Sequence, residues 1–426
     1  MIEVHQLSIL LTFIKVWTIL TLSSNIWKIR MIFTRLRFIN LYAFEDAELN
    51  LSYPRKPVNM PLDGEFLAGR PKFYYKKVCI ITGGNASGKT SLGRILCGIQ
   101  VFLRTKELRS NLRVNNKNND ASFEVDFATE DHFHHRLYVR FATSEGGAHI
   151  IKEIKYGFVQ IALNDSCHKT TEKLNQLFSG RAPEDTEYFF QELATDSEPV
   201  VLEFFKQLKF FGGWYYLLSE TKESTTAISG MNKNILERII RTFDSSIIGV
   251  TEMLESESDG DENKSSAVYL IKFKNSDSLV VTSKGEIINS DRLSRGTYEA
   301  VTVAHFISAI ISDCERLGKQ SLIPSMTYFL DEKLAYTHSE LERMIVALII
   351  SNLKENTQFF YTTHNMDIFE LDLPVHSFIF IKKTKDYSEF VEANSVVKKN
   401  DRSMRNAVER DVFGVLPDTS LVSELL

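Results

Sequence analysis

The stretch from Val78 to Leu96 reads VCIITGGNASGKTSLGRIL, and it decides the fold that the sequence predicts. An apolar, largely β-branched run comes first, a glycine-rich segment follows, and apolar residues at the spacing of one helix face complete it. The glycine-rich segment fits G-x-x-x-x-G-K-[ST], the spacing of a phosphate-binding loop, in the strand-loop-helix context that this motif needs. The residues predicted to contact phosphate are Gly83, Gly84, Asn85, Ala86, Ser87, Gly88, Lys89, Thr90 and Ser91.

The residue types in this loop suit the binding of a nucleotide. Gly83 and Gly88 would let the backbone curl, so that N–H groups point at phosphate oxygens near a helix N-terminus, whose dipole favours negative charge. Lys89 is predicted to reach the β- and γ-phosphates, and Thr90 to hold Mg²⁺ through its hydroxyl. The alternative is a tight turn before an ordinary helix.

Composition limits the class of protein. The chain has 426 residues, is 43% hydrophobic and 25% charged, and carries a net charge of −5. This length allows two or three compact units. The negative total argues against a globally basic nucleic-acid binder, although a local basic face is compatible with it. The four cysteines form no C-x-x-C pair, which favours a reducing, cytoplasmic setting without a zinc site.

The N-terminal residues are treated apart from the fold. Leu7–Leu22 is apolar, but Lys15 interrupts it and it is short for a bilayer-spanning helix, so a membrane anchor is disfavoured. Met31 begins MIFTRLRFINLYAFEDAELNL, which predicts two antiparallel strands around a turn at Glu45 and Asp46. Residues 1–30 are therefore expected to lie outside the fold.

The rest of the chain alternates apolar strands with helices, which predicts an α/β fold: a mixed sheet, rich in parallel strands and flanked by helices. Thr170 to Thr251 carries a helical pattern with many aromatic residues, interpreted as a helical arm. The predicted segments are the extension 1–30, a first head part 31–165, a helical insertion with an acidic linker 166–264, a second head part 265–400 and a tail 401–426.

Three histidines that lie close together in the sequence could be metal ligands. His132, His134 and His135 lie in DHFHHR, and His132 and His134 could share one strand face. No second ligand cluster completes a metal site in the sequence. A solvated turn or strand end is the favoured interpretation.

Polar residues follow two later apolar strands. Asp331 and Glu332 end the run that begins at Met326, and His364 follows the run that begins at Gln358. The Asp331 carboxylate could reach Mg²⁺ held by Thr90, Glu332 could polarise an attacking water, and His364 could sense a γ-phosphate. Taken singly, the acidic pair could cap a helix and the histidine could lie in a polar loop. The order of these residues on consecutive strands favours the joint site.

The segments GGNASGKT, LSRGT, FLDE and YTTHN resemble the Walker A, signature, Walker B and switch-histidine motifs of ABC-type ATPases, in the variant of the OLD, RecF and SMC-like AAA proteins. The resemblance covers 31–165 and 265–385, and implies an ABC-type P-loop NTPase head using ATP and Mg²⁺. It also implies a head-to-tail dimer, in which Ser294 and Gly296 of one subunit close over the ATP of the other. Taken alone, LSRGT could simply cap a helix. His338, seven residues after Asp331, matches a D-loop histidine of that group.

Some residues depart from the pattern of those proteins. Tyr42 stands where many relatives have a basic residue, Lys333 and Ser339 replace residues that are often proline, and Gln160 is the candidate for the glutamine loop. The resemblance favours an ATP-hydrolysing subunit of an anti-phage defence system, similar to PtuA or AriA. It would form a homodimer or higher homo-oligomer, act with a separate nuclease-like effector, and leave DNA binding open. The alternatives are a RecF- or SMC-like DNA-repair ATPase and a non-hydrolysing scaffold that ATP holds closed.

Overall fold

The computed structural model describes residues 31–54, 62–109, 112–181, 187–193, 213–219, 221–224, 231–256, 265–288, 293–317, 325–397, 403–416 and 420–425. The extension 1–30 and residues 257–264 of the predicted acidic linker lie outside these ranges. Among the helices of the described ranges, none has the length and apolar character needed to cross a bilayer.

The strands are β1 (Met31–Leu41), β2 (Phe44–Asn50), β3 (Phe66–Leu67), β4 (Arg70–Tyr74), β5 (Val78–Gly83), β6 (Ala121–Thr129), β7 (Phe133–Thr143), β8 (His149–Gln160), β9 (Glu187–Leu193), β10 (Gly213–Leu217), β11 (Lys222–Ser224), β12 (Ile247–Ser256), β13 (Ser265–Phe273), β14 (Ser278–Thr282), β15 (Ile287–Ile288), β16 (Met326–Asp331), β17 (Thr357–Thr362), β18 (Phe378–Lys383) and β19 (Ser388–Glu392). The α-helices are α1 (Lys89–Thr105), α2 (Cys167–Phe178), α3 (Lys233–Phe243), α4 (Arg295–Leu317), α5 (Ser339–Asn352), α6 (Ala393–Val396), α7 (Met404–Glu409) and α8 (Ser420–Ser423). Two 3₁₀ helices span Met366–Glu370 and Val375–Ser377.

The central sheet has the strand order β11-β10-β16-β17-β5-β18-β19. Its five inner strands run parallel, and β11 and β19 pair antiparallel at its edges. Every residue of β5, β16 and β17 is buried, because both faces of the sheet are covered, as is usual for parallel strands. The predicted fold class, an α/β P-loop fold with a mixed sheet flanked by helices, is confirmed.

A second sheet is antiparallel, with the order β2-β1-β6-β7-β8-β9, and α1 packs between the two sheets. Alternate residues of β5 divide between two cores, since side chains alternate across a strand. Cys79 and Ile81 join α1 and the antiparallel sheet, whereas Val78 and Ile80 join α3, α4 and α5 on the opposite face. The first residues of α1 are therefore held between two buried layers.

The first hairpin is confirmed, but its turn lies at Tyr42 and Ala43 rather than at Glu45 and Asp46. Leu41 pairs with Phe44 across this turn, and Tyr42 adopts a left-handed φ of 53°. Phe44 is fully buried against Phe38, with ring centroids 5.0 Å apart. β2 therefore begins at Phe44, because its ring packs in the core. Glu45 and Asp46 lie exposed along this strand.

The helical prediction from Thr170 to Thr251 is correct for α2 and α3 but wrong for the strands β9, β10 and β11 and the start of β12. Its residues 182–186, 194–212, 220 and 225–230 lie outside the described ranges. β10 reads GWYYL, is buried from Trp214 to Leu217, and pairs parallel with β16 in the central sheet. Aromatic side chains fit a buried strand well, and their spacing alone does not separate a strand from a helix. The division into segments stays a prediction.

Short hairpins and the tail complete the fold. β3 and β4 pair as a hairpin before the glycine loop, and β13 and β14 pair as a hairpin around Asn275–Asp277. In the tail, Phe413 stacks on Phe380 of the central sheet, with centroids 3.9 Å apart, so this part of the tail packs on its own chain.

Candidate nucleotide-binding site

The glycine loop connects β5 to α1 at the carboxyl end of the central sheet. Gly83 is the last residue of β5, and a Cβ built there would lie 2.4 Å from the carbonyl oxygen of Ile381 and 2.7 Å from Ser87 Oγ. A backbone carbonyl in a strand cannot move aside without distorting the sheet. Only glycine therefore fits at the base of the loop.

The rest of the loop has left-handed backbone at two positions. Gly88 has a φ of 109° and a Cβ there would lie 2.9 Å from the Phe44 ring, while Ala86 has a φ of 58°. The amide of Ser87 donates to the carbonyl of Gly84 at 3.2 Å. The exposed part of the loop consists of Asn85 and Ala86, and Ser91 lies in the first turn of α1.

Lys89 is buried, with 5% of its side chain exposed, and its ammonium faces the loop. Nζ donates to the carbonyl oxygens of Gly83 and Gly84 at 3.0 and 3.2 Å and lies 3.2 Å from Glu332 Oε1. Burial lowers the pKa of Lys89, and the nearby carboxylate of Glu332 opposes that change. The cation thus stands between the loop and the acidic end of β16.

Thr90 and Asp331 meet across the site. The Thr90 hydroxyl donates to Asp331 Oδ2 at 2.8 Å, and Asp331 is 1% exposed. Its Oδ1 accepts from the Thr362 hydroxyl at 2.7 Å, and Oδ2 also accepts from the Ser219 amide at 3.2 Å. A hydroxyl and a carboxylate are the hard oxygen ligands that Mg²⁺ prefers, so this pair suits the ion.

Ser219 is the contact that the sequence prediction missed. It follows β10, whose parallel pairing with β16 brings the end of one strand beside the end of the other. The available signal was the run GWYYLLS, a buried strand pattern followed by a small polar residue. Because its aromatic spacing also fits a helix, the sequence alone does not assign Ser219 to the site.

Glu332 and His364 form a pair above Lys89. The Glu332 backbone has a φ of 50°, and its amide donates to the Thr362 hydroxyl at 3.1 Å. Its Oε1 lies 3.1 Å from His364 Nε2. The hydrogen bond from His364 lowers the pKa of Glu332 to about 2, the charge of Lys89 acts in the same direction, and burial opposes both. The carboxylate is therefore ionised at neutral pH and can accept a hydrogen bond from water.

A cleft of about 290 Å³ adjoins this pair. It is bounded by the end of β17, the segment after β16 and the start of α5. Its lining residues are Glu332, Ala335, Thr337, Ser339, Glu342, Tyr361, Thr363, His364 and Asn365.

The signature-like residues lie at the N-terminus of α4. Ser294 Oγ accepts from the Thr297 amide at 3.1 Å, which is the contact of a helix cap. A Cβ on Gly296 would lie 3.4 Å from the carbonyl oxygen of Tyr336, and the Arg295 guanidinium lies 3.9 Å above the Tyr336 ring. In the described part of the chain, the contacts of this segment are thus with α4 and with the segment after β16, rather than with the glycine loop.

Three other sequence candidates occupy different places. Gln160 is the last residue of β8 and pairs with Phe133 in the antiparallel sheet, not in the central sheet. Tyr42 packs against the core around α1, and its amide donates to the Arg113 carbonyl at 2.9 Å. His338 caps α5, with Nδ1 accepting from an amide of the first turn at 3.3 Å.

The histidine cluster is part of the protein interior rather than a solvated strand end. His134 contacts the hydroxyls of Thr34 and Thr170, each at 2.8 Å. His135 contacts two further hydroxyls, at 2.9 and 2.8 Å. Burial lowers the pKa of each ring to about 3, so both are neutral. His132 lies in the preceding turn, with Nε2 2.9 Å from the Ala68 carbonyl.

No family model and no curated protein sequence matches the chain. Among solved structures, an SMC head bound to the C-winged helix domain of ScpA is similar at 14% identity and a TM-score of 0.45, over 88% of this chain and 99% of that chain. The SMC head domain from Thermotoga maritima is similar at 13% identity and a TM-score of 0.35, over 86% and 99%. The recombination mediator RecF with ATP is similar at 10% identity and a TM-score of 0.37, over 85% and 98%. At these identities and TM-scores the likenesses carry no argument about function. The function proposed below rests on the contacts of the site.

Proposed function

We propose that the chain binds ATP together with Mg²⁺ and hydrolyses it at the glycine loop. One observation carries this proposal: side chains from the loop and from the ends of β16 and β17 converge at hydrogen-bonding distance. Thr90 lies 2.8 Å from Asp331, and Glu332 lies 3.2 Å from Lys89 and 3.1 Å from His364.

The loop fits a polyphosphate. Glycine is required at Gly83 and Gly88, and the Ser87 hydroxyl is fully buried without a hydrogen-bond partner among the described residues. The ammonium of Lys89 can exchange its carbonyl contacts for phosphate oxygens, which are stronger partners for a cation. Thr90 and Asp331 would hold Mg²⁺, which supplies charge neutralisation when bound.

Glu332 and His364 have separate roles: Glu332 acts on water, and His364 holds the Glu332 carboxylate. Ionised Glu332 accepts a hydrogen bond from a water molecule and can take its proton. His364 holds the Glu332 carboxylate through Nε2, which fixes the direction of that acceptor. The left-handed backbone at Glu332 turns the side chain away from Asp331, so the two adjacent carboxylates serve different partners.

We also propose a head-to-tail homodimer or higher homo-oligomer. Ser294 is exposed and Gly296 is half-buried at the N-terminus of α4, where a hydroxyl and the positive end of the helix dipole favour an anion. Their described contacts leave the glycine loop of the same chain uncovered, which suits a clamp on the ATP of a second subunit. The motif resemblance supports this assignment of the pair.

The finer proposal is a cytoplasmic regulatory ATPase of an anti-phage defence system that acts with a separate nuclease-like effector. The motif resemblance supports it, and the buried thiols of Cys79, Cys97 and Cys167 suit a reducing compartment. A RecF- or SMC-like DNA-repair ATPase is the alternative. Strong stimulation of turnover by double-stranded DNA would favour the repair role.

The test is the ATP affinity of Lys89→Ala compared with wild type. Losing a charged phosphate contact of about 3 kcal/mol weakens binding about 100-fold, measured by calorimetry with Mg²⁺ present. Lys117→Ala removes an exposed lysine and should bind ATP like wild type. Light scattering on the same samples should show that ATP doubles the mass of wild type and of Lys117→Ala, but not that of Lys89→Ala. Equal ATP affinity in all three proteins would contradict the proposed site.

A further inference from the structure

Glu342 is a buried carboxylate of α5 that the chemistry described above does not use. It is 3% exposed, and three side-chain donors converge on it. Its Oε1 accepts from the hydroxyls of Tyr361 and Thr363 at 2.5 and 2.6 Å, and its Oε2 accepts from Asn365 Nδ2 at 3.0 Å. Burial raises the pKa of Glu342, and these donors oppose that rise.

Two of the three donors are the chain neighbours of His364. Thr363 precedes it and Asn365 follows it, and the Asn365 amide also donates to Thr363 Oγ1 at 2.9 Å. Asn365 Nδ2 makes a second bond to the Ser339 carbonyl at 3.0 Å. The short segment around His364 is thus fastened to the first turn of α5 on both sides.

The side chain of His364 is held less firmly than those of its two neighbours. Its side chain is 43% exposed, and the contact described for its ring is the one to Glu332 at 3.1 Å. The orientation of a half-exposed side chain depends on how firmly its backbone is held in place. The direction of His364 Nε2 therefore depends on the residues that flank it.

We propose that Glu342 is a positioning residue, which fixes the backbone from Thr363 to Asn365 and through it aims His364 at Glu332. This inference rests on the proposed ATPase function. Three donors require an acceptor with several lone pairs, which a carboxylate supplies. In Glu342→Gln the charge is lost and one acceptor oxygen becomes an NH₂ donor. If that donor faces Asn365 Nδ2, two donors meet; if it faces Tyr361 and Thr363, both hydroxyls must change from donating to accepting. Asn365 cannot turn over freely, because its Oδ1 accepts from the Asp367 amide at 2.9 Å.

The test combines hydrogen exchange without nucleotide and steady-state kinetics. In Glu342→Gln, amides from Thr363 to Asp367 should exchange about 10-fold faster, since one charged hydrogen bond is lost. The kcat for ATP should fall about 10-fold while KM stays within about 2-fold, because the loop that binds phosphate is untouched. Glu340→Gln is the matched control, since Glu340 is an exposed carboxylate of the same helix, and it should behave like wild type.

Thr363→Val gives a second perturbation that keeps the side-chain shape. It removes the bond to Glu342 and also the acceptor of the Asn365 amide, so its exchange is judged at Asp367, whose amide donates to Asn365 Oδ1. It should change exchange and kcat in the same direction as Glu342→Gln. Unchanged exchange around His364 in both variants overturns the inference, and so does a fall in kcat that Glu340→Gln reproduces. If wild type fails to bind ATP, the proposed function fails, whereas the exchange experiment still decides whether Glu342 fixes the segment.

Discussion

Gly83 shows how tightly the glycine loop is built at the scale of one residue. A Cβ at this position would lie 2.4 Å from the Ile381 carbonyl oxygen, an atom of the neighbouring strand β18. Ile381 pairs with Gly83 in register, so the carbonyl cannot withdraw without breaking that pairing. The side chain is excluded by the sheet itself, not by a flexible neighbour.

Gly83→Ala is therefore expected to lower the free energy of unfolding by about 1–3 kcal/mol, the usual cost of forcing extra volume into a packed site. It should also weaken ATP binding, because the loop must shift. Urea denaturation and calorimetry measure the two effects. Gly146→Ala is the control, since the nearest atom to its Cβ would be 3.9 Å away. Equal stability of both variants and wild type would show that the loop tolerates the methyl group.

The residues of the candidate site were largely predictable from sequence, for a physical reason. Asp331, Glu332 and His364 each end an apolar run, and parallel strands bring their carboxyl ends to one edge of the sheet. Ser219 and Glu342 were not predicted. Ser219 contributes a backbone amide, and its position depends on β10 being a strand of the central sheet. Glu342 acts from a helix that covers the sheet.

At the scale of elements, β7 contains a pair of neutral histidines in the core. His134 and His135 have a pKa of about 3 in the folded protein, well below the ordinary value of about 6.5. Between these two values the unfolded chain binds protons that the folded chain does not. Falling pH therefore destabilises the fold across this window, and the histidine contribution is constant above it.

Replacing His134 should reduce this dependence on pH. One such histidine contributes a slope of up to about 1.4 kcal/mol per pH unit between the two pKa values. In His134→Gln, the free energy of unfolding should fall less steeply from pH 6 to pH 5 than in wild type, as measured by urea denaturation. His168→Gln, at a side chain that is 69% exposed, should keep the wild-type slope. Identical slopes in all three proteins would contradict neutral burial of His134.

The strand β10 shows a limit of predicting secondary structure from the sequence. Its aromatic residues Trp214, Tyr215 and Tyr216 are buried on both faces of the central sheet. A strand buried on both faces has no alternation of polar and apolar residues, so its pattern does not distinguish it from a buried helix. The β1–β2 hairpin, in contrast, has one face with many polar residues and was predictable apart from its turn.

At the scale of the whole molecule, the glycine loop lies where the two sheets and α1 meet. The antiparallel sheet covers one side of α1, and the central sheet covers the other. Phe44 of the antiparallel sheet contacts the loop at Gly88. Movement of one sheet relative to the other would therefore be transmitted to the phosphate-binding backbone.

The most direct test of the central claim is ATP turnover by wild type and Glu332→Gln, followed as phosphate release with Mg²⁺ present. Removing a general base costs 10²–10⁴-fold in rate, so turnover should fall at least about 100-fold while ATP affinity is retained. Glu340→Gln, in the first turn of α5, should turn over ATP like wild type. If Glu332→Gln hydrolyses ATP at the wild-type rate, then the carboxylate that ends β16 is not the group that activates water, and the proposed mechanism is wrong.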